Sequence, residues 1–262
     1  MPIDPGACVA PTARVHPDAQ IAAGCKIGEY CIVEQDVTLG PNCILEPYVY
    51  VKRWTSLGEG NEISASTVLG TDPLDKNFNG ERSYLKIGNH NKIREHFTIS
   101  RATKPEASTV IGDHNFVMTS GHIAHDCILG SQIVVASCAL LAGYVEVEDQ
   151  AFISGGVVVH QYSKIGRLAM VGGNTRVNSD LPPYFLYSEF DVAAKSINLV
   201  GLRRAGFSAA EIEIAKGCYR IVYRSGLKKL DACLKLDSIA HPIAEHIARF
   251  VRASRRGIAR QS

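Results

Sequence analysis

The chain has 262 residues, 46% of them hydrophobic, and a formal net charge of +2. This length suits one elongated domain with a small appendage. No stretch approaches the 18 apolar residues of a membrane-spanning helix, and the first ten residues lack the pattern of a signal peptide. The eight cysteines show no disulfide-framework spacing. We therefore expect a protein of the reducing cytoplasm with no integral membrane segment.

The small net charge conceals an asymmetry between the two ends of the chain. Residues 201–262 carry 13 Lys and Arg against 5 Asp and Glu, whereas the first 200 residues carry 15 against 21. A basic end on an acidic body favours an acidic partner or a phosphorylated ligand, although a solvated helix face explains the charge equally well. We expect no nucleic acid partner.

From Val9 onward, every sixth residue is aliphatic, with two interruptions. The series comprises residues 9, 15, 21, 27, 33, 39, 45, 51, 57, 63 and 69, then 87, 93 and 99, then every sixth residue from 111 to 177. The residue two places earlier is usually small, as at Cys25, Cys31 and Cys43, and the residue that follows is often glycine. We predict that the cysteines pack in the core and that these glycines relieve strain at corners.

A period of six fits neither a helix nor a lone strand, but it fits short strands joined by tight turns, three to a coil. The pattern therefore predicts an all-β solenoid, with a right-handed β-helix as the alternative. It resembles the hexapeptide-repeat acyltransferases, and this resemblance implies a left-handed parallel β-helix over residues 1–186. The interruptions predict loops near 70–85 and 101–110.

A C-terminal α-helical domain is predicted over residues 187–262. The segment Ser208–Glu211 has the sequence of a capping box, which opens an amphipathic helix through Arg224 that Gly226 ends. Further helices are predicted at residues 227–236 and 243–253. Such a bundle would cap the open sheet edge of the last coil.

A polar cluster lies in the longest uninterrupted part of the repeat. With 18 residues per coil, His125, Gly143 and Gln161 stack in one column, and His122, Tyr144 and His160 lie beside it. Three interpretations remain open from spacing alone. His125 can act as a general base oriented by Asp126, the three histidines can bind zinc together with neighbouring chains, or they can simply solvate the surface.

Several motifs together resemble the UDP-N-acetylglucosamine O-acyltransferases, which perform the first step of lipid A synthesis. They are Gly121–Cys127 (GHIAHDC), Leu141–Gly143, Val159–Gln161, Met170–Gly173, Asn198, Gly201–Phe207 and Tyr223–Gly226. The resemblance implies a homotrimer that moves a 3-hydroxyacyl group directly from acyl carrier protein to the sugar. The acyl group would travel on the carrier's phosphopantetheine, and no metal or other cofactor is implied.

The resemblance also implies a role for individual residues. His125 would be the base, Asp126 its partner, and the Gly143 N–H the donor to the oxyanion. Gly173 would occupy the position that limits acyl length, and its lack of a side chain should admit a longer acyl chain. The other implied substrate contacts are Asp75, Lys76, His122, Tyr144, His160, Gln161, Asn198 near uracil and Arg204 near phosphate.

Three positions depart from the family pattern, all on the nucleotide-sugar side. Tyr144 replaces a histidine, Val200 replaces a glutamate, and Lys76 lies one position early in its loop. The sequence therefore leaves open whether the acceptor group on the sugar is a 3-hydroxyl or a 3-amino group. A zinc hydrolyase of the carbonic anhydrase kind and a non-catalytic scaffold are the remaining alternatives.

Overall fold

A computed structural model describes residues 3–261 of the chain. The strands of the first half are β1 Cys8–Val9, β2 Arg14–Val15, β3 Gln20–Ile21, β4 Lys26–Ile27, β5 Ile32–Val33, β6 Thr38–Leu39, β7 Ile44–Leu45, β8 Tyr50–Val51, β9 Thr55–Leu57, β10 Glu62–Ile63, β11 Val68–Thr71, β12 Tyr84–Ile87, β13 Lys92–Ile93, β14 Thr98–Ser100 and β15 Ser108–Ile111. Those that follow are β16 Phe116–Val117, β17 His122–Ile123, β18 Ile128–Leu129, β19 Val134–Val135, β20 Leu140–Leu141, β21 Glu146–Val147, β22 Phe152–Ile153, β23 Val158–Val159, β24 Lys164–Ile165, β25 Met170–Val171, β26 Arg176–Val177, β27 Phe185–Ser188, β28 Ala193–Ile197 and β29 Arg260–Gln261. The helices are α1 Leu199–Arg204, α2 Ala209–Arg224, α3 Lys229–Asp237 and α4 Pro242–Ala253.

Each coil contributes one short strand to each of three sheets. Within residues 3–261 the sheets have twelve, nine and eight strands, and we call them sheets 1, 2 and 3 in that order. Partners on consecutive uninterrupted coils are 18 residues apart, as for His122 and Leu140 in sheet 2. The predicted aliphatic series fills the interior of this prism, and most of its members are fully buried. Each fully buried side chain stabilises the folded state by about 1.5–3 kcal/mol, because its apolar surface is removed from water.

The corners between the sheets carry the site described below. Corner A joins sheet 2 to sheet 3 and comprises residues 124–127, 142–145 and 160–163 in three successive coils. Corner B joins sheet 3 to sheet 1 and comprises residues 130–133, 148–151 and 166–169. Corner C joins sheet 1 to sheet 2 and includes residues 154–157 and 172–175.

The prediction that glycine after the core aliphatic relieves corner strain is wrong. The left-handed backbone falls three residues before the aliphatic, where Asp126 has φ 58° and Tyr144 has φ 61°. The glycines after the aliphatic serve close approach instead. A Cβ added to Gly112 would lie 2.5 Å from the carbonyl oxygen of Gly130 in the next coil. Successive coils therefore approach too closely at these positions for any side chain.

The prediction that the repeat cysteines pack in the core is confirmed. Cys25, Cys31, Cys43 and Cys127 are buried, and the Cys127 thiol donates a hydrogen bond of 3.2 Å to the carbonyl oxygen of Ala142. Burial raises the pKa of Cys127 to about 12. The Cys127 thiol is therefore an inert packing group rather than a nucleophile.

Both predicted loops are present but shorter than expected. The first spans residues 72–83, between β11 and β12, and the second spans 101–107, between β14 and β15. The strands that border the loops are up to four residues long, because residues predicted to lie at the loop ends pair with the sheet instead.

The C-terminal region continues sheet 1 before it becomes helical. Strand β27 pairs in parallel with β25 and antiparallel with β28, so the predicted boundary at residue 186 falls inside a strand. The capping box of α2 is present, with the Ser208 hydroxyl accepting from the N–H of Glu211. Helix α1 and strands β28 and β29 were not predicted. No helix within residues 3–261 is long and apolar enough to cross a membrane.

The buried carboxylate of Asp180 connects the last coil to the end of the chain. It accepts hydrogen bonds from the N–H of Lys164 at 2.8 Å and from the Ser254 hydroxyl at 2.6 Å. On corner B, the ring of His246 in α4 lies 2.9 Å from the Glu148 carboxylate and 2.8 Å from the hydroxyl of Tyr184. These bonds, together with apolar packing, fix the helices on one end of the prism.

Candidate active site

The centre of the candidate site is a buried pair at corner A. Nδ1 of His125 lies 2.9 Å from Oδ2 of Asp126, and the two side chains are 10% and 9% exposed. Because a carboxylate only accepts hydrogen bonds, Nδ1 carries the proton and Nε2 has a free lone pair. Nε2 forms no hydrogen bond within residues 3–261. The pair therefore presents a proton acceptor in a dry environment.

Asp126 is held by the second loop, which sequence reasoning did not connect to the site. Its Oδ2 accepts from the backbone N–H of Thr103 at 3.1 Å and from the Thr103 hydroxyl at 2.8 Å. Its own N–H donates to Oγ1 of Thr109 at 2.8 Å. Burial raises the pKa of Asp126, but the bonds from His125 and Thr103 outweigh it and hold that pKa below the ordinary value. Asp126 is therefore ionised at neutral pH.

Gly143 lies directly against the imidazole of His125, one coil further along corner A. A Cβ added to Gly143 would be 2.4 Å from Cε1 and 2.7 Å from Nε2 of that ring. The Gly143 N–H donates to no group within residues 3–261, whereas its carbonyl accepts from the N–H of Tyr162. A free N–H beside the free Nε2 is the arrangement that stabilises an oxyanion as it forms.

His122 lies on the outer face of sheet 2, beside the pair. Its Nδ1 is 2.7 Å from the hydroxyl of Thr98, and its Nε2 is buried without a partner in the described chain. Burial lowers the pKa of His122, and the nearby His125 lowers it further. His122 is therefore neutral, with one unused nitrogen for a polar ligand group.

Tyr144, His160 and Gln161 lie on corner A, as predicted from the spacing of 18 residues per coil. The Tyr144 ring contacts the edge of His125 at 5.4 Å and stacks on Tyr162 at 4.6 Å. Gln161 and His160 are exposed one coil further, and Nδ1 of His160 lies 3.2 Å from the Gln161 carbonyl oxygen. The Tyr144 hydroxyl, in contrast, bonds within the chain, 2.9 Å from Oγ1 of Thr103.

The first loop carries Asp75 and Lys76. Oδ1 of Asp75 accepts from the N–H of Asn77 at 2.9 Å and so builds the loop, whereas Lys76 is exposed. Arg101, which opens the second loop, is only 1% exposed. Its guanidinium lies 5.0 Å from the Trp54 ring and 5.1 Å from the Phe78 ring, and it pairs with Asp72. Arg101 therefore joins the two loops above corner A.

Asn198 and Arg204 lie elsewhere, around a cleft of about 670 Å³ between corner B, the outer face of sheet 1 and α1. The Asn198 amide donates to the Leu168 carbonyl at 2.9 Å and accepts from the Gly201 N–H at 3.0 Å, so both ends are engaged. Arg204 and Val200 are exposed at the rim. Sequence reasoning missed the apolar residues Phe152 and Met170 that line this cleft.

Gly173 lies at corner C, exposed, where an added Cβ would be an ordinary 3.4 Å from the Gly155 carbonyl oxygen. The predicted site residues of one chain therefore lie on three different corners. Corner A carries His125, Asp126 and Gly143, whereas Asn198 and Arg204 line the cleft beside corner B and Gly173 lies on corner C. Within residues 3–261, no three His, Cys, Asp or Glu side chains are grouped to hold a metal ion.

Comparison with known proteins places this arrangement in a family. The family model described as UDP-N-acetylglucosamine O-acyltransferase, domain 2, matches residues 180–259. Acyl-[acyl-carrier-protein]--UDP-N-acetylglucosamine O-acyltransferase of Thermodesulfovibrio yellowstonii is 41% identical over 252 residues, which cover 95% of this chain and 98% of that protein. The enzyme of the same name from Synechocystis is 42% identical over 207 residues, covering 79% and 75%.

Solved structures agree with the sequence comparison. UDP-N-acetylglucosamine acyltransferase from Bacteroides fragilis has a TM-score of 0.94 and 36% identity, covering 96% of this chain and all of that one. The Acinetobacter baumannii structure has a TM-score of 0.88 and 34% identity, covering 99% and 100%. The left-handed coil that the family resemblance implied is thus confirmed. By its repeat, its fold and these identities, the chain belongs to the UDP-N-acetylglucosamine O-acyltransferase family.

Proposed function

We propose that this protein transfers a 3-hydroxyacyl group from acyl carrier protein to the 3-hydroxyl of UDP-N-acetylglucosamine, the first step of lipid A synthesis. The observation that carries the proposal is the buried His125–Asp126 pair against Gly143, in a chain whose relatives are named for this O-acyl transfer. That name also favours an ester product over the amide that a 3-amino sugar would give. Membership of this family leaves the zinc hydrolyase and the scaffold without support.

In the proposed reaction, Nε2 of His125 removes the proton of the sugar hydroxyl as its oxygen attacks the thioester carbonyl. The Asp126 carboxylate, ionised at neutral pH, stabilises the imidazolium that forms and fixes the ring through Nδ1. The negative charge on the carbonyl oxygen is met by the free N–H of Gly143. Collapse of this intermediate expels the phosphopantetheine thiolate, which takes the proton back from the imidazolium. No acyl group is attached to the enzyme.

The distribution of the predicted site over three corners supports a site formed between copies of the chain. Asn198 and Arg204 belong to a cleft on corner B that contains no corner A residue. A nucleotide held there reaches a His125 only if a neighbouring copy presents its corner A. We therefore propose a homotrimer in which His125, His122, Gln161 and His160 of one chain face the cleft of the next.

The acyl carrier protein is proposed to bind at the C-terminal helices. Residues 201–262 carry 13 Lys and Arg against 5 Asp and Glu, so an acidic carrier is attracted to this end. The acyl chain would extend past Gly173 on corner C, where the absence of a side chain leaves room. Lys76, exposed on the first loop, would contact the nucleotide sugar beside Asp75.

The test is an incubation with 3-hydroxyacyl carrier proteins of several chain lengths and either UDP-N-acetylglucosamine or its 3-amino analogue, with products identified by mass. We expect an ester of UDP-N-acetylglucosamine from the natural protein and none above background from His125→Gln. His114→Gln is the matched control, because His114 is an exposed histidine in the same repeat, stacked on His90 at 5.1 Å. Product from the amino sugar alone, or from His125→Gln at the natural rate, would overturn the proposal.

A further inference from the structure

Tyr144, Thr103, Asp126 and His125 form one continuous hydrogen-bonded chain. The Tyr144 hydroxyl is 2.9 Å from Oγ1 of Thr103, which is 2.8 Å from Oδ2 of Asp126, which is 2.9 Å from Nδ1 of His125. A threonine hydroxyl has one proton, and the carboxylate can only accept, so that proton goes to Asp126. Tyr144 must therefore donate to Thr103, and the direction of the chain is fixed.

The chain converges on a single oxygen. Oδ2 of Asp126 accepts from the Thr103 N–H, the Thr103 hydroxyl and His125. Three donors on one oxygen fix the rotamer of the carboxylate and orient that oxygen toward Nδ1. The His125 and Asp126 side chains are only 10% and 9% exposed, so each bond acts in a medium that screens it weakly.

Both the ring and the hydroxyl of Tyr144 have partners inside the protein. Its ring is fixed by the stacked Tyr162 and by the edge of His125, and its hydroxyl is used by Thr103. A hydrogen bond donated by this hydroxyl to a substrate would have to replace its donation to Thr103. The sequence resemblance implied a substrate contact here, whereas the geometry gives the hydroxyl a partner inside the protein.

We propose that Thr103 and Tyr144 are positioning residues of the base, which act on His125 through Asp126 and not on the substrate. Thr103 keeps the carboxylate aimed at Nδ1, and Tyr144 orients the Thr103 hydroxyl. The inference rests on the proposed role of His125 as the base. It explains how a tyrosine serves beside the oxyanion glycine, where the family usually has histidine.

The test compares Thr103→Val, Tyr144→Phe and the double variant. Valine keeps the shape and the backbone N–H of residue 103 but removes the hydroxyl, and phenylalanine keeps both ring contacts. Because a bond to a charged group is lost, we expect Thr103→Val to lower kcat about tenfold, and Tyr144→Phe, which loses a neutral bond, about threefold. KM for the UDP sugar should not change.

The double variant shows whether Tyr144 and Thr103 act in series through one set of hydrogen bonds or affect kcat independently. Because the hydrogen bonds run from Tyr144 to Thr103 and from Thr103 to Asp126, Tyr144→Phe should add little in the Thr103→Val background. Thr103→Ser should restore the rate, which guards against a folding defect in the valine variant. Tyr48→Phe is the control, because Tyr48 has the same left-handed backbone and a stacked tyrosine partner at 5.2 Å on a distant corner. Multiplying effects in the double variant would refute the proposal, as would a raised KM with unchanged kcat for Tyr144→Phe.

A readout without turnover keeps this inference separate from the proposed function. In protein labelled with ¹⁵N-histidine, with the His125 signal identified by His125→Gln, we expect the natural ring to carry its neutral-form proton on Nδ1. Thr103→Val should give a mixture of the two tautomers. An unchanged ring in Thr103→Val would overturn the positioning role, whereas absence of transfer by the natural protein would overturn only the proposed function.

Discussion

Replacing Gly143 by alanine tests the contact on which the candidate site depends. The new Cβ would lie 2.4 Å from Cε1 of His125, and ordinary Cβ contacts begin near 3.4 Å, so the ring must retreat by about 1 Å. It cannot retreat freely, because Nδ1 is bonded to Asp126 and the Tyr144 ring lies against it. The backbone N–H of residue 143 stays in place, so the change moves the proposed base and not the proposed oxyanion donor.

A misplacement of about 1 Å in a catalytic group costs roughly 100-fold in rate, which corresponds to about 2.7 kcal/mol of barrier. We therefore expect kcat of Gly143→Ala to fall about 100-fold, with KM for the UDP sugar changed much less. The assay is initial-rate acyl transfer followed by mass, at saturating carrier protein.

Gly217→Ala is the control, since nothing lies within 4 Å of a Cβ at that position in α2. It should retain full activity. A thermal unfolding curve should show Gly143→Ala folded at the assay temperature. A folded Gly143→Ala enzyme with the natural kcat would mean that the ring of His125 is not held against residue 143 during catalysis.

Three further predictions concern acyl length, the loops and acid stability. Gly173→Met should fold normally and shift preference at least tenfold toward shorter acyl donors in a competition assay, because its side chain would project into the proposed path of the acyl chain. Arg101→Met should speed tryptic cleavage of the 72–83 loop about 30-fold, since it removes a buried cation that joins the loops; equal cleavage would refute this. Glu148→Gln should lower Tm by about 2–4 °C at pH 7 through a bond of about 1 kcal/mol. Although burial raises the pKa of Glu148, its bond to His246 holds it below the ordinary value, so this stability is present above about pH 4.5 and lost as pH falls below it. A Tm difference that grows on acidification would contradict that sign.

The amino-acid sequence determined the solenoid because its core depends on one local rule. An aliphatic side chain every sixth residue is buried in every coil, so the period alone fixes which residues face inward and which stack 18 apart. The column of His125, Gly143 and Gln161 at corner A followed from this arithmetic. The capping box of α2 was equally readable, since it is a contact between residues three apart.

The tertiary structure decided the contacts between residues that the six-residue period does not relate. Thr103 reaches Asp126 because the second loop folds back over corner A, and a loop outside the period carries no register from which to predict that contact. The role of the glycine that follows an aliphatic residue also depended on the neighbouring coil, whose atoms leave no room for a Cβ on that glycine. Asn198 and Arg204 line the cleft beside corner B because β27 and β28 extend sheet 1 before α1 begins, and no local pattern encodes that pairing. The sequence alone thus predicted the column that holds the proposed base, whereas contacts between distant residues placed the rest of the candidate site.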